Sequence, residues 1–211
     1  MSDQFPPIEP YDSGTLDVGD RHRIYWERCG NPDGRPALFL HGGPGSGCTA
    51  GQRRFFDPTR YNAMLFDQRG CGRSRPLASD PDADLGTNTT QHLTADIEAL
   101  RERHRVDRWT ILGLSWGCTL ALAYAQTYPD RVNALVLAAV TTTSRREVQW
   151  ITEDIGRVFP QQWDRFIERS RTGCAISGRS RPMRDCLQTR TRRSAIAPLS
   201  SGAIGKTPTY P

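Results

Sequence analysis

No apolar run in this 211-residue chain is longer than Ala134 to Val140, far short of the ~20 residues that a membrane-spanning helix needs. No C-x-x-C spacing occurs either. The six cysteines, at positions 29, 48, 71, 118, 174 and 186, stand far apart, which excludes a zinc ribbon and argues against a small disulfide scaffold. The opening stretch MSDQFPPIEPYDSG is acidic and proline-rich without an apolar centre, so no secretory signal is expected. These absences point to a soluble, cytoplasmic protein with reduced thiols.

Lysine is almost missing as well. Lys206 is the single one, and the net charge of +5 is carried by arginine. That charge is unevenly placed: residues 170–211 hold seven arginines and Lys206 against Asp185, whereas residues 1–169 hold 20 basic and 22 acidic groups. The body is therefore slightly acidic and offers no nucleic-acid footprint. Gly202-Ala203-Ile204-Gly205-Lys206-Thr207 imitates the end of a phosphate-binding loop, but Ser200 stands where the pattern needs glycine and no strand precedes it.

What is present reads as an α/β protein with a mostly parallel sheet and helices on both faces. Short apolar runs at Pro36–Leu40, Ala63–Phe66, Trp109–Leu112 and Val132–Val140 are the expected strands, and the modest alternation of Ile24–Arg28 suits an early, half-exposed one. Asn88-Thr89-Thr90 supplies capping side chains for a helix with Leu93, Ile97 and Leu100 on one face, and Thr119–Tyr128 is an Ala/Leu-rich helix stopped by Pro129. From Ser144 to Arg169 the apolar spacing is helical. After Ser170 composition turns to Arg, Ser, Thr, Gly and Pro without period. The expected organisation is an N-terminal core over 1–143, a helical cap segment over 144–169, and a disordered basic tail over 170–211.

Gly113-Leu114-Ser115-Trp116-Gly117 fits G-x-S-x-G between a strand and a helix. A nucleophile on so tight a turn needs unusual backbone angles, and flanking Gly113 and Gly117 let the turn close. His41-Gly42-Gly43-Pro44-Gly45 follows an earlier strand and suits an oxyanion loop, whose backbone N–H groups must meet the charge built on a carbonyl oxygen. The expected donors are the N–H of Trp116 and that of Gly43, with Gly42 as the rival; His41 is expected to pack beneath the loop.

HGGPG at 41–45, DQRGCGRS at 67–74 and GLSWG at 113–117, in that order, resemble the proline iminopeptidase family of α/β-hydrolases, over roughly residues 5–168. The resemblance implies a serine peptidase that releases N-terminal proline from peptides, without metal or cofactor. It also makes Asp67 and Arg69 buttresses of the loops around Ser115. An esterase of the same fold and a non-catalytic fragment are the alternatives.

One absence cuts across that reading. Hydrolases of this fold place serine, acid and histidine in that chain order, yet His22, His41, His92 and His104 all precede Ser115. Asp130, Asp154, Asp164 and Asp185 follow it, and none lies after a late strand. No triad acid or base is identifiable. The chain is thus expected to be a truncated or frameshifted family member, incomplete in its cap and C-terminal sheet and impaired or inactive as a peptidase. The other frames of the surrounding DNA would support this by encoding a downstream acid and histidine.

Overall fold

The computed structural model describes residues 4–176. Strands β1 (Asp12–Asp17), β2 (Arg23–Gly30), β3 (Arg35–Leu40), β4 (Tyr61–Phe66), β5 (Trp109–Leu114) and β6 (Val132–Ala138) form one sheet in the order β1-β2-β4-β3-β5-β6. The pairs β4–β3, β3–β5 and β5–β6 are parallel, while β1–β2 and β2–β4 are antiparallel. The helices are α1 (Thr90–Arg103), α2 (Trp116–Thr127), α3 (Arg145–Thr152) and α4 (Pro160–Ile176).

Alternation along the central strands divides the core in two. Leu38, Leu40, Met64, Phe66 and Ile111 face a cluster completed by Leu93, Ile97 and Leu100 of α1 and by Leu120 and Tyr124 of α2. Ala37, Phe39, Ala63 and Leu65 face the opposite side, where Phe56 and Ile8 cover them. Both long helices of the core therefore lie on one face. The other face is covered, among the described residues of this cluster, by loop and N-terminal residues.

Thr89 caps α1, its side chain accepting from the His92 N–H. Helix α3 opens with a capping box between Ser144 and Glu147. Helix α4 continues past Ser170, where composition suggested a change, as far as Ile176. The rest of the basic tail lies outside the described residues. β6 reads in sequence as an interior strand but, among the described residues, stands at the sheet's edge, with Val136 53% exposed. Among the described residues no helix is long and apolar enough to cross a membrane.

Candidate active site

Strand order sets the site. The chain leaves β3 toward β4 on one side and later places β5 on the other, so the loops after β3 and β5 diverge from neighbouring carboxyl ends. Open α/β sheets bind ligands at such a reversal. The loop after β3 is His41–Gly45, and the residue after β5 is Ser115.

Ser115 has φ 54° and ψ −121°, a positive φ in a residue that bears a side chain. Such strain costs on the order of 1–3 kcal/mol and persists only where its surroundings enforce it. Here its N–H donates to the Ala138 carbonyl (3.0 Å), and its carbonyl accepts from Cys118 N–H (2.8 Å). The flanking glycines are required by space. A Cβ on Gly117 would fall on the Leu40 carbonyl oxygen, and one on Gly113 would stand 2.7 Å from the Gly117 oxygen. A Cβ on Gly42 would lie 3.0 Å from Ser115 Cβ and 3.6 Å from its Oγ, so the β3 loop runs directly beside the hydroxyl. Trp116 is the first residue of α2, and N–H groups of a first turn have no acceptor within their helix. Gly43 follows Gly42 with φ +116°, which glycine tolerates.

His41 is fully buried and committed to the loop. Its Nε2 accepts from the Gln68 backbone N–H (3.1 Å), which leaves the proton on Nδ1, 2.9 Å from the Gly42 carbonyl that accepts it. The Gln68 side chain returns a bond to the His41 carbonyl (3.0 Å), so the loops after β3 and β4 clasp each other. Burial lowers the His41 pKa and keeps the ring neutral.

Asp67 and Arg69 are spent on the same scaffold. Asp67 accepts from the backbone N–H groups of Cys48 and Arg73, both at 2.7 Å, and from the Arg73 guanidinium at 2.8 Å. Burial pushes its pKa up, but the Arg73 and backbone hydrogen bonds outweigh that and hold it below the usual carboxylate value. Arg69 makes a two-pronged pair with buried Asp96, both bonds 2.8 Å, and reaches Asp20 and the Val18 and Thr87 carbonyls.

Two further groups escaped sequence reasoning. Glu27 is buried on β2 between Arg53 and Arg73, each 2.8 Å away, and Asp96 sits inside the apolar face of α1. The signal was available in both cases as a carboxylate at a position whose neighbours are core. Cys71 Sγ lies 3.6 Å from His41 Nε2, but burial pushes the thiol up to about 11, so the pair is no thiolate nucleophile. Among the described residues no group of three or more His, Cys, Asp or Glu gathers to hold a metal.

The other histidines are held elsewhere. His22 Nε2 meets Thr87 Oγ1 (3.1 Å), and His92 lies between Thr89 and Asp20. His104 caps α1 edge-on to Trp26 at 4.3 Å, and burial lowers its pKa from 6.5 to about 4. A histidine depressed in the folded state stabilises fully above its unfolded value. As pH falls from 6.5 toward 4 the unfolded chain takes up the proton first, so stability drops through that window. Urea unfolding at pH 7.5 and pH 5 should show this loss, and His104→Phe should shrink it.

Comparison with known proteins places this geometry in a class. The chain belongs to the alpha/beta hydrolase fold family, whose model matches residues 36–205. Within that family it is similar to proline iminopeptidases. A Streptomyces coelicolor protein named "Probable proline iminopeptidase" is 54% identical over 163 residues, which cover 77% of this chain and 50% of the relative. The proline iminopeptidase of Xylella fastidiosa (strain Temecula1) is 50% identical over 168 residues, or 79% of this chain and 52% of the relative. Among solved structures, a proline iminopeptidase-related protein from Thermus thermophilus superposes with a TM-score of 0.54 at 27% identity, covering 67% of this chain and 47% of that one. The chain thus spans about half the length of the curated relatives it matches. The family match runs past Ser170, while the pairwise matches cover 163 and 168 residues.

Proposed function

We propose that this chain is the nucleophile-bearing part of a serine peptidase that removes N-terminal proline from peptides. The observation that carries it is Ser115 on its strained turn with the Gly42 loop alongside. Similarity to proline iminopeptidases supplies the substrate class. In this reading Ser115 Oγ attacks the prolyl carbonyl carbon. The oxyanion is received by the N–H of Trp116 and that of Gly43, with Gly42 as the alternative donor, and the N-terminal end of α2 adds its dipole. His41, Gly113, Gly117, Asp67 and Arg69 hold those donors in place. No metal or cofactor takes part, and free thiols at Cys29, Cys48, Cys71 and Cys118 suit a cytoplasmic setting.

The proton has no partner in this scheme. Attack needs a base for the Ser115 proton, and expulsion of the amine needs that proton returned. His41 cannot serve, because both ring nitrogens are engaged within the loops. Imidazole in solution should supply the missing function. With it added, hydrolysis of a prolyl chromogenic amide should rise in the 211-residue chain and not in its Ser115→Ala variant. A rise confined to acetate esters would favour an esterase, and no Ser115-dependent rise on either substrate would overturn the nucleophile assignment.

A further inference from the structure

The loop between β6 and α3, residues 139–144, begins beside Ser115. The Ser115 N–H donates to the Ala138 carbonyl at 3.0 Å, the last rung of the parallel β5–β6 ladder, in which Leu114 stands beside Ala138. That carbonyl also accepts the Cys118 thiol, 3.2 Å away, from the first turn of α2. One residue later the chain turns. Ala139 has φ 50°, in the left-handed region that residues with side chains seldom adopt. Thr119 of α2, 5% exposed, then donates its hydroxyl to the Thr141 carbonyl at 2.8 Å. The acceptor of the Ser115 N–H and the turn that follows it are thus both bonded to α2.

The far end of the loop is held by α3. Thr143 has φ 53°, a second left-handed residue that is not glycine, and its N–H donates to Thr141 Oγ1 at 3.3 Å. The Glu147 carboxylate accepts from the Ser144 N–H (2.8 Å) and hydroxyl (3.1 Å), and also from the Thr142 N–H (3.2 Å) and hydroxyl (3.0 Å). A capping box needs only the bonds to Ser144. The two bonds to Thr142 carry the hold of Glu147 back across Thr143, toward β6. Strained residues persist only where their surroundings enforce them. Here Thr119 does so from one side and Glu147 from the other.

We infer that loop 139–144 is a bracket through which helix α3 sets the position of Ser115, with Thr119 and Glu147 as its positioning residues. Displacing α3 moves Thr142 through Glu147. The Thr143–Thr141 bond and the two strained residues leave the loop little slack, so the displacement reaches the Ala138 carbonyl and the Ser115 N–H. Whatever seats against α3 is therefore registered at Ser115. This rests on the function proposed above only in taking Ser115 as the nucleophile; the mechanical link stands on the hydrogen bonds.

Amide hydrogen exchange at Ser115, followed by NMR in the 211-residue chain, reads this link without any activity. Thr119→Val keeps the branched shape and removes the donor; Glu147→Met removes the acceptor at the other end. Each is expected to speed exchange at Ser115 by about three- to tenfold, the range for losing one ordinary hydrogen bond, with the amides of β3 unchanged. Thr119→Ser, which keeps the hydroxyl, should restore the parental rate. With imidazole added, Ser115-dependent hydrolysis of a prolyl amide should fall in kcat in both variants while KM holds. Faster exchange in both, with no imidazole-dependent rate in the parent, supports the bracket and overturns the peptidase reading. The bracket is overturned if Thr119→Val leaves Ser115 exchange unchanged, or if Glu147→Met does. Equal acceleration of the β3 amides also overturns it, since a general loss of stability would act in that way.

Discussion

Gly117→Ala is expected to destabilise the chain by about 3 kcal/mol or more, the upper part of the range for overpacking a close-packed site. The added methyl would fall on the Leu40 carbonyl oxygen, with the His41 oxygen 3.0 Å away. Both are backbone atoms, and Leu40 ends a central strand paired on both sides. Neither can swing aside as a side chain would. Relief requires α2 to lift from β3, which would pull Leu120 and Tyr124 out of the larger core cluster and move Ser115 from the loop beside it. Urea unfolding would report the loss directly. An alanine variant within about 1 kcal/mol of the parent would show that the elbow is loose enough to admit a methyl group.

Arg69→Ala should cost a comparable amount for a different reason. The guanidinium and the Asp96 carboxylate have side chains only 2% and 1% exposed. Removing one partner of a buried pair leaves an uncompensated charge, which costs about 3–5 kcal/mol. The same pair replaced by apolar groups of similar size should recover much of that loss, so Arg69→Met combined with Asp96→Leu should be more stable than Arg69→Ala. The recovery will be partial, because Arg69 also serves the Val18 and Thr87 carbonyls. If Arg69→Ala unfolds at the parent's urea midpoint, Arg69 does not hold the β4 loop through that pair.

The strands around the site were legible because buried parallel strands show themselves as short apolar runs, as β3 to β6 did; β2, antiparallel to both neighbours, showed only a modest alternation. β1 was not legible: its sequence Asp-Ser-Gly-Thr-Leu-Asp has only Leu16 to bury, and it is a strand because β2 offers it a full antiparallel register. Strand order was likewise invisible, since nothing local in β3 says that β4 and β5 flank it. Ser115 and the Gly42 loop could be placed from sequence because their chemistry demands glycine at fixed offsets. Asp67, Glu27 and Asp96 could not be given their partners, because Arg73, Arg53 and Arg69 reach them through the fold. The helical hydrophobic pattern of 144–169 was readable, but the continuation of α4 to Ile176 was not, since composition there favours no element.

In the proposed reading Ser115 is the nucleophile and no group among the described residues serves as its base, and the most direct test is the unassisted rate of prolyl-amide hydrolysis. It is measured for the 211-residue chain beside Ser115→Ala with no base or partner added. Where a triad is broken in well-studied serine proteases, about 10³–10⁴-fold over water survives from the oxyanion hole and binding, independent of the missing group. Equal rates are predicted for the two proteins, at or below that residual level. A rate that falls when Ser115 becomes alanine would mean that a base reaches the hydroxyl from within this chain, and the absence of a proton-transfer partner would be contradicted.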